Sequence, residues 1–165
     1  MSLLVRKIDN AKWMQNDILN NDTFSVEDVS ADAITSLKTS GNALSAWQVA
    51  QEAIEDAVLA IVSSHQHLDT IDVVCLDPSS LESNGIRLQS TPGSTPLKDI
   101  IGQHIDICDL TYRTLGTVAE QIVYVLKEGM VLRYTKGNIK KLLYDAINQG
   151  RLQKDELDES LRKRL

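Results

Sequence analysis

The segment Ile71-Asp72-Val73-Val74-Cys75-Leu76 constrains this chain more than any other. It is short, β-branched and closed by the turn residues Asp77-Pro78-Ser79-Ser80, which predicts a mostly buried central strand rather than a helix. Asp72 belongs at the solvent-side start of that strand. A second branched run, Leu3 to Ile8, stops at the turn pair Asp9-Asn10 and predicts another strand. Trp13 follows in a short segment expected to pack back on the core.

Helix-like spacing comes next. Asn20-Asn21-Asp22 is a turn signal, Phe24 and Val26 alternate with polar residues as in a short strand, and Ala31, Ala33, Ile34 and Leu37 suit a short helix from Ser30. Ser40-Gly41-Asn42 breaks the chain. The stretch Ala43 to Val49 has two readings. Ser45 and Gln48 could form a capping box that opens one long helix, or Ala43, Ser45, Trp47 and Val49 could line one face of a strand. The strand is preferred. From Gln51 to Ser64 the residues Ile54, Ala57, Val58, Ile61 and Val62 fall on one helical stripe, with acidic residues in the first turns.

Beyond the His65-Gln66-His67 link and the central strand, a loop-like tract reaches Ser94 with one strand candidate at Ile86 to Leu88. Thr95-Pro96 reads as an N-cap with proline at the first helical position, starting a short helix through Ile101. Apolar spacing from Ile105 to Leu126, closed at Gly129, predicts a helix of about twenty residues. Met130 to Tyr134 is an extended connector. A further amphipathic helix carries Ile139, Leu142, Leu143, Ala146 and Ile147 and is capped by Gly150. A last helical segment from Asp155 to Arg164 bears a Leu157/Leu161/Leu165 stripe that could dock on its own core or on a partner.

The order is therefore strands with a helix first, then helices. Regular βαβ alternation is missing, so the expected class is α+β, with a small mixed or antiparallel sheet in the N-terminal two-thirds and a helical C-terminal third. A length of 165 residues suits a single compact domain over 1–165, with a strand-containing body about 1–94 and a helical part about 95–165.

Charge divides the same way. Residues 1–126 hold 7 Lys/Arg against 17 Asp/Glu, whereas residues 127–165 hold 10 against 6. A basic end on an acidic body directs attention to Arg133, Lys136, Lys140, Lys141 and Arg151 as a candidate basic surface, where phosphates would be met by ionic contacts. Interleaved Asp145, Asp155, Glu156, Asp158 and Glu159 weaken that surface. The low aromatic content of 4% argues against a stacking platform for single-stranded nucleic acid.

The other cluster of chemistry-bearing residues is His65, His67, Asp69 and Asp72. Two imidazoles and two carboxylates at short spacing could hold a divalent metal, although a solvated loop has the same composition and no His-Glu-x-x-His run is present. His104 reads as a partly buried, hydrogen-bonded or capping histidine. Cys75 falls mid-strand and Cys108 near a helix start flanked by Asp106 and Asp109, settings that disfavour a thiolate. Neither a glycine-rich phosphate cradle nor a Gly-x-Ser-x-Gly turn occurs.

From these residues the expectations are a non-catalytic accessory or adaptor protein acting by protein–protein interaction, with a nucleic-acid-associated regulatory protein and a metal-dependent hydrolase centred on His65 and His67 as alternatives. The enzyme question leans to no. No cofactor is expected, nor a membrane partner; another protein is the expected partner, and association with a second copy stays open. Two cysteines without a disulfide framework and an N-terminus without a secretory h-region suit the cytoplasm.

Overall fold

A computed structural model of the chain describes residues 2–13 and 23–165; the turn predicted at Asn20-Asn21-Asp22 lies outside them. Six strands form one antiparallel sheet: β1 (Ser2–Ile8), β2 (Leu44–Ala50), β3 (Ile71–Leu76), β4 (Arg87–Ser90), β5 (His104–Cys108) and β6 (Leu132–Tyr134), in the order β4-β5-β2-β1-β3-β6. The helices are α1 (Asn10–Trp13), α2 (Ile54–Ser63), α3 (Pro78–Ser83), α4 (Tyr112–Lys127), α5 (Lys136–Asn148) and α6 (Glu159–Arg162). The α+β class is as expected. The sheet also draws β5 and β6 from beyond residue 94, so body and helical part share one sheet, while the two longest helices do lie in the C-terminal part.

Period-two alternation sorts the strands between two cores. Leu4, Ile8, Val74, Leu76, Ile105 and Ile107 pack with Val118, Ile122, Val125 and Leu126 of α4, and with Trp13, Phe24 and Leu37. Val5, Trp47, Val49, Ile71 and Val73 pack on the opposite face with Ala57, Val58 and Val62 of α2 and Ile139, Leu143 and Ala146 of α5. Helices on both faces explain why Ile71 to Leu76 is apolar almost throughout: that strand is covered twice. Leu157 and Leu161 are buried in the second core, so the C-terminal stripe docks on its own domain.

Several local expectations are corrected. The predicted helix from Ile105 is a strand and a helix, β5 and α4. His104-Ile105-Asp106-Ile107-Cys108 alternates, Asp109 turns the chain at φ +56°, and a capping box between Thr111 and Thr114 starts α4. Cys108 therefore sits on a strand, not near a helix start. Met130 to Tyr134 is more than a connector, because Leu132–Tyr134 pairs with β3. The Asp77 turn opens α3, with the Asp77 carboxylate accepting from Ser79 N–H and Pro78 at the first helical position.

Phe24 and Val26 lead into a 3₁₀ turn capped by Ser25, not a strand, and Ala31–Leu37 is a 3₁₀ helix. After Thr95-Pro96 the chain makes turns and a single 3₁₀ turn at Ile101–Gln103 in place of the expected helix. The final segment is similarly broken, into the 3₁₀ turn Lys154–Glu156 and α6. The preferred strand reading of 43–49 holds as β2, with α2 following a 3₁₀ turn at Gln51–Ala53.

Candidate functional site

Strand β1 runs between two clefts, one at each end, and they differ in chemistry. At the Ile8 end β1 and β2 part company: their ladder stops at Val5 opposite Trp47. Arg6 fills the gap, its guanidinium donating to the backbone carbonyls of Ser45 and Ser36. The segment carrying Ser36 closes over the strand end, where Ser36 Oγ accepts from Asp9 N–H at 3.0 Å and Lys12 Nζ donates to Thr35 Oγ1 at 2.9 Å.

The result is a polar cleft of about 850 Å³ whose wall includes Arg6, Lys7, Lys12, His65, Asp72 and Arg133. Its charges are unevenly matched. Lys12 pairs with Asp9 at 3.2 Å and Arg133 with Asp72 at 3.8 Å, whereas among the described residues Arg6 and Lys7 have no carboxylate within ion-pair distance. Burial pushes the Arg6 pKa down to about 10. Burial, and then the nearby Lys7 ammonium, lowers that of His65, against an opposing pull from Asp69. Three side-chain atoms of this wall, Arg6 Nε, Asn10 Oδ1 and Asp72 Oδ1, are buried without a hydrogen-bond partner.

Of the two groups singled out in the sequence, only His65, Asp72 and Arg133 line this cleft. Asp72, expected on the solvent side, has a side chain only 13% exposed because β6 pairs across it and Arg133 covers it. Asp69 meets Lys136 at 3.5 Å. His65 lines the cleft, and His67 is exposed outside its lining. Among the described residues no three His, Cys, Asp or Glu side chains come together as a metal site.

The basic residues are largely engaged within the molecule. Beyond Arg133 and Lys136, Arg151 joins Asp56 of α2 and Asp99 of the preceding loop, at 2.7 Å each. Lys140 donates to the Arg164 carbonyl and lies 5.8 Å from the Tyr144 ring centre, while Lys141 is exposed. His104 bonds Thr91 Oγ1 through Nδ1 at 2.9 Å and meets the Trp47 ring edge-on.

At the Leu3 end lies the second cleft, about 860 Å³ and mainly apolar, between α4 and the ends of β1, β3 and β6. Leu3, Ile54, Cys75, Val125 and Leu132 form its wall; Tyr124 and Met130, 61% and 47% exposed, also line it. Among the described residues, Asp77 and Glu120 are its only charged lining residues. Gln121 belongs to this wall too, and both polar atoms of its amide are buried without a partner. Burial raises the Cys75 thiol pKa, so the thiol stays protonated at neutral pH.

The chain matches no family model, no curated protein and no solved structure. Among the described residues no helix is long and apolar enough to cross a membrane.

Sequence reasoning missed the apolar cleft altogether. Its residues come from β1, the 3₁₀ turn at Gln51–Ala53, α2, β3, α3, α4 and β6, and each reads locally as an ordinary core or surface position. Arg6 carried a usable signal, since a cation inside the apolar run Leu3 to Ile8 interrupts a strand that is otherwise buried.

Proposed function

We propose that this protein is a non-catalytic accessory protein of the cytoplasm that binds a partner protein through the apolar cleft at the Leu3 end of β1. The observation that carries this reading is the composition of that cleft: an apolar floor, a large exposed aromatic and a methionine beside it, and, among the described residues, carboxylates as the only lining charges. Interface hot spots take this form, with a buried anchor surrounded by groups that exclude water. Volume is adequate for one or two apolar side chains. The Gln121 amide supplies one donor side and one acceptor, the complement of a single peptide unit.

Charge selects the partner. With Asp77 and Glu120 on the cleft and a strongly acidic body behind it, the fitting surface is an apolar anchor flanked by Lys or Arg. The nucleic-acid alternative loses support from the ion pairs of Arg133, Lys136 and Arg151, which engage cations that phosphates would need.

A photo-reactive amino acid placed at Tyr124 in the source cells tests the reading. The expected result is an adduct with a basic protein that disappears when Leu132→Trp fills the cleft, the variant's melting curve confirming that it folds. The same probe at Tyr112, 95% exposed but outside the cleft, should give no such adduct. Identical adducts from both positions, or none from Tyr124, would overturn it.

A further inference from the structure

We infer that the partner enters the apolar cleft as an extended segment that adds to the free edge of β3 at Cys75, an inference that rests on the reading of that cleft as the partner site. The segment carries consecutive apolar residues flanked by Lys or Arg.

Successive residues of an antiparallel sheet send their N–H and C=O to opposite neighbours, so one bond fixes the direction in every strand. Thr91 N–H donates to the His104 carbonyl, one step beyond the pair Ser90 and Ile105. His104 therefore faces β4, and Ile105 faces β2. Register carries this phase across the sheet: Ala46, opposite Ile105, faces β5, so Trp47 faces Val5, and Leu4 and Arg6 face Leu76 and Val74. By the same alternation Ile71, Val73 and Cys75 face the β6 side. Ile71 and Val73 meet Tyr134 and Leu132 there, but β6 starts at Leu132 and leaves Cys75 without an opposite residue. Continued register would bring Met130 to that place, and Met130 gives its N–H to the Val125 carbonyl of α4 instead.

Among the described residues nothing pairs with the N–H and C=O of Cys75, and Cys75 lines the apolar cleft. In such a setting both groups gain most from a partner that offers acceptor and donor together, which extended peptide backbone does. A helix does not, because its own backbone groups are bonded within it. The cleft walls then fix the side chains. Ile54 and Leu132 belong to the core on the α2 face and Val125 to the core on the α4 face. A strand between them meets apolar surface on both faces, as β3 does, so its central residues are apolar without alternation. Asp77 and Glu120 select Lys or Arg on its flanks.

The probe is a capped heptapeptide, Lys-Thr-Val-Ile-Val-Thr-Lys, titrated against the full chain beside three versions N-methylated in turn at Val, Ile and Val. A methyl group on the nitrogen that donates to Cys75 should lower affinity about tenfold, the scale of one hydrogen bond lost in apolar surroundings. On an adjacent nitrogen, which points away from β3, it should change affinity by less than about twofold. Hydrogen exchange of the Cys75 amide, followed by NMR, should slow several-fold on saturation. The Val74 amide, already turned to Arg6 of β1, should stay constant. Replacing both lysines of the peptide by Glu should weaken binding.

Equal affinity for the parent and all three methylated peptides, abolished by Leu132→Trp, would keep the cleft as a partner site and refute strand addition. A parent peptide that fails to bind refutes it as well, while adducts from Tyr124 judge the cleft separately.

Discussion

Arg133 Nη1 lies 3.8 Å from Asp72 Oδ1 across the β3–β6 ladder, where the two residues are direct partners. Burial raises the Asp72 carboxyl pKa above the usual carboxylate range; Arg133 pulls it back down, and Asp9 pushes it up. A raised folded-state pKa means that the folded protein holds this proton more tightly than the unfolded chain does. Ionised Asp72 is therefore a cost, present in full above its folded pKa and absent once pH falls below the ordinary value near ~4. Asp72→Asn should raise the melting temperature at pH 7 and lose that advantage as pH approaches 4. Arg133→Gln should act oppositely at pH 7, by less than about 1 kcal/mol given its exposure. Thermal melts of the three proteins at both pH values check this.

Arg151 ties α2 to the loop at Asp99 by two hydrogen-bonded ion pairs made through different nitrogens. A lysine offers one point charge and cannot satisfy both carboxylates in this geometry. Arg151→Lys should cost about 1 kcal/mol by urea denaturation, and the loss should shrink in 1 M salt, where partly exposed pairs are screened.

Gly93 has no room for a side chain: a methyl group there would overlap the Trp47 ring and press on His104. Gly93→Ala should displace the indole, break the edge-on contact of Trp47 with His104, and destabilise by about 1–3 kcal/mol. A shifted tryptophan emission spectrum with a lowered melting temperature is the expected pair of observations.

Leu161 is 1% exposed although it lies only four residues before Leu165. Leu161→Ala should cost about 2–4 kcal/mol, the scale of a truncation in a core that cannot collapse around the cavity. An unchanged urea midpoint would show that the terminal segment is not part of the cooperative core.

What could be read in advance divides along physical lines. Strands β1 and β3 and helices α2 and α5 were legible because their apolar patterns run unbroken to a turn or cap. The strand β5 was lost because Ile105 and Cys108 also suit a helical stripe joining Leu115, and a three-residue spacing cannot distinguish the two periods. Thr111 and Thr114 held the missing boundary. Leu157, Leu161 and Leu165 show correct amphipathic spacing, but a 3₁₀ turn at Lys154–Glu156 comes first and Asp158 caps a helix of only Glu159–Arg162. The clefts were illegible for another reason. Each depends on where strands end relative to one another, and register between β1 and β2 is set by long-range pairing.

The first strand of the chain is the sheet's inner member, flanked by β2 on one side and β3 on the other. During synthesis it emerges before either neighbour. Its edge towards β2 can pair once Ala50 has left the ribosome, but its edge towards β3 stays open until Leu76 has followed, so the sheet's centre is completed only then. Leu4, Val5 and Ile8 spend that interval with one strand edge open, so exposure to edge-to-edge pairing belongs to the nascent chain more than to the finished sheet.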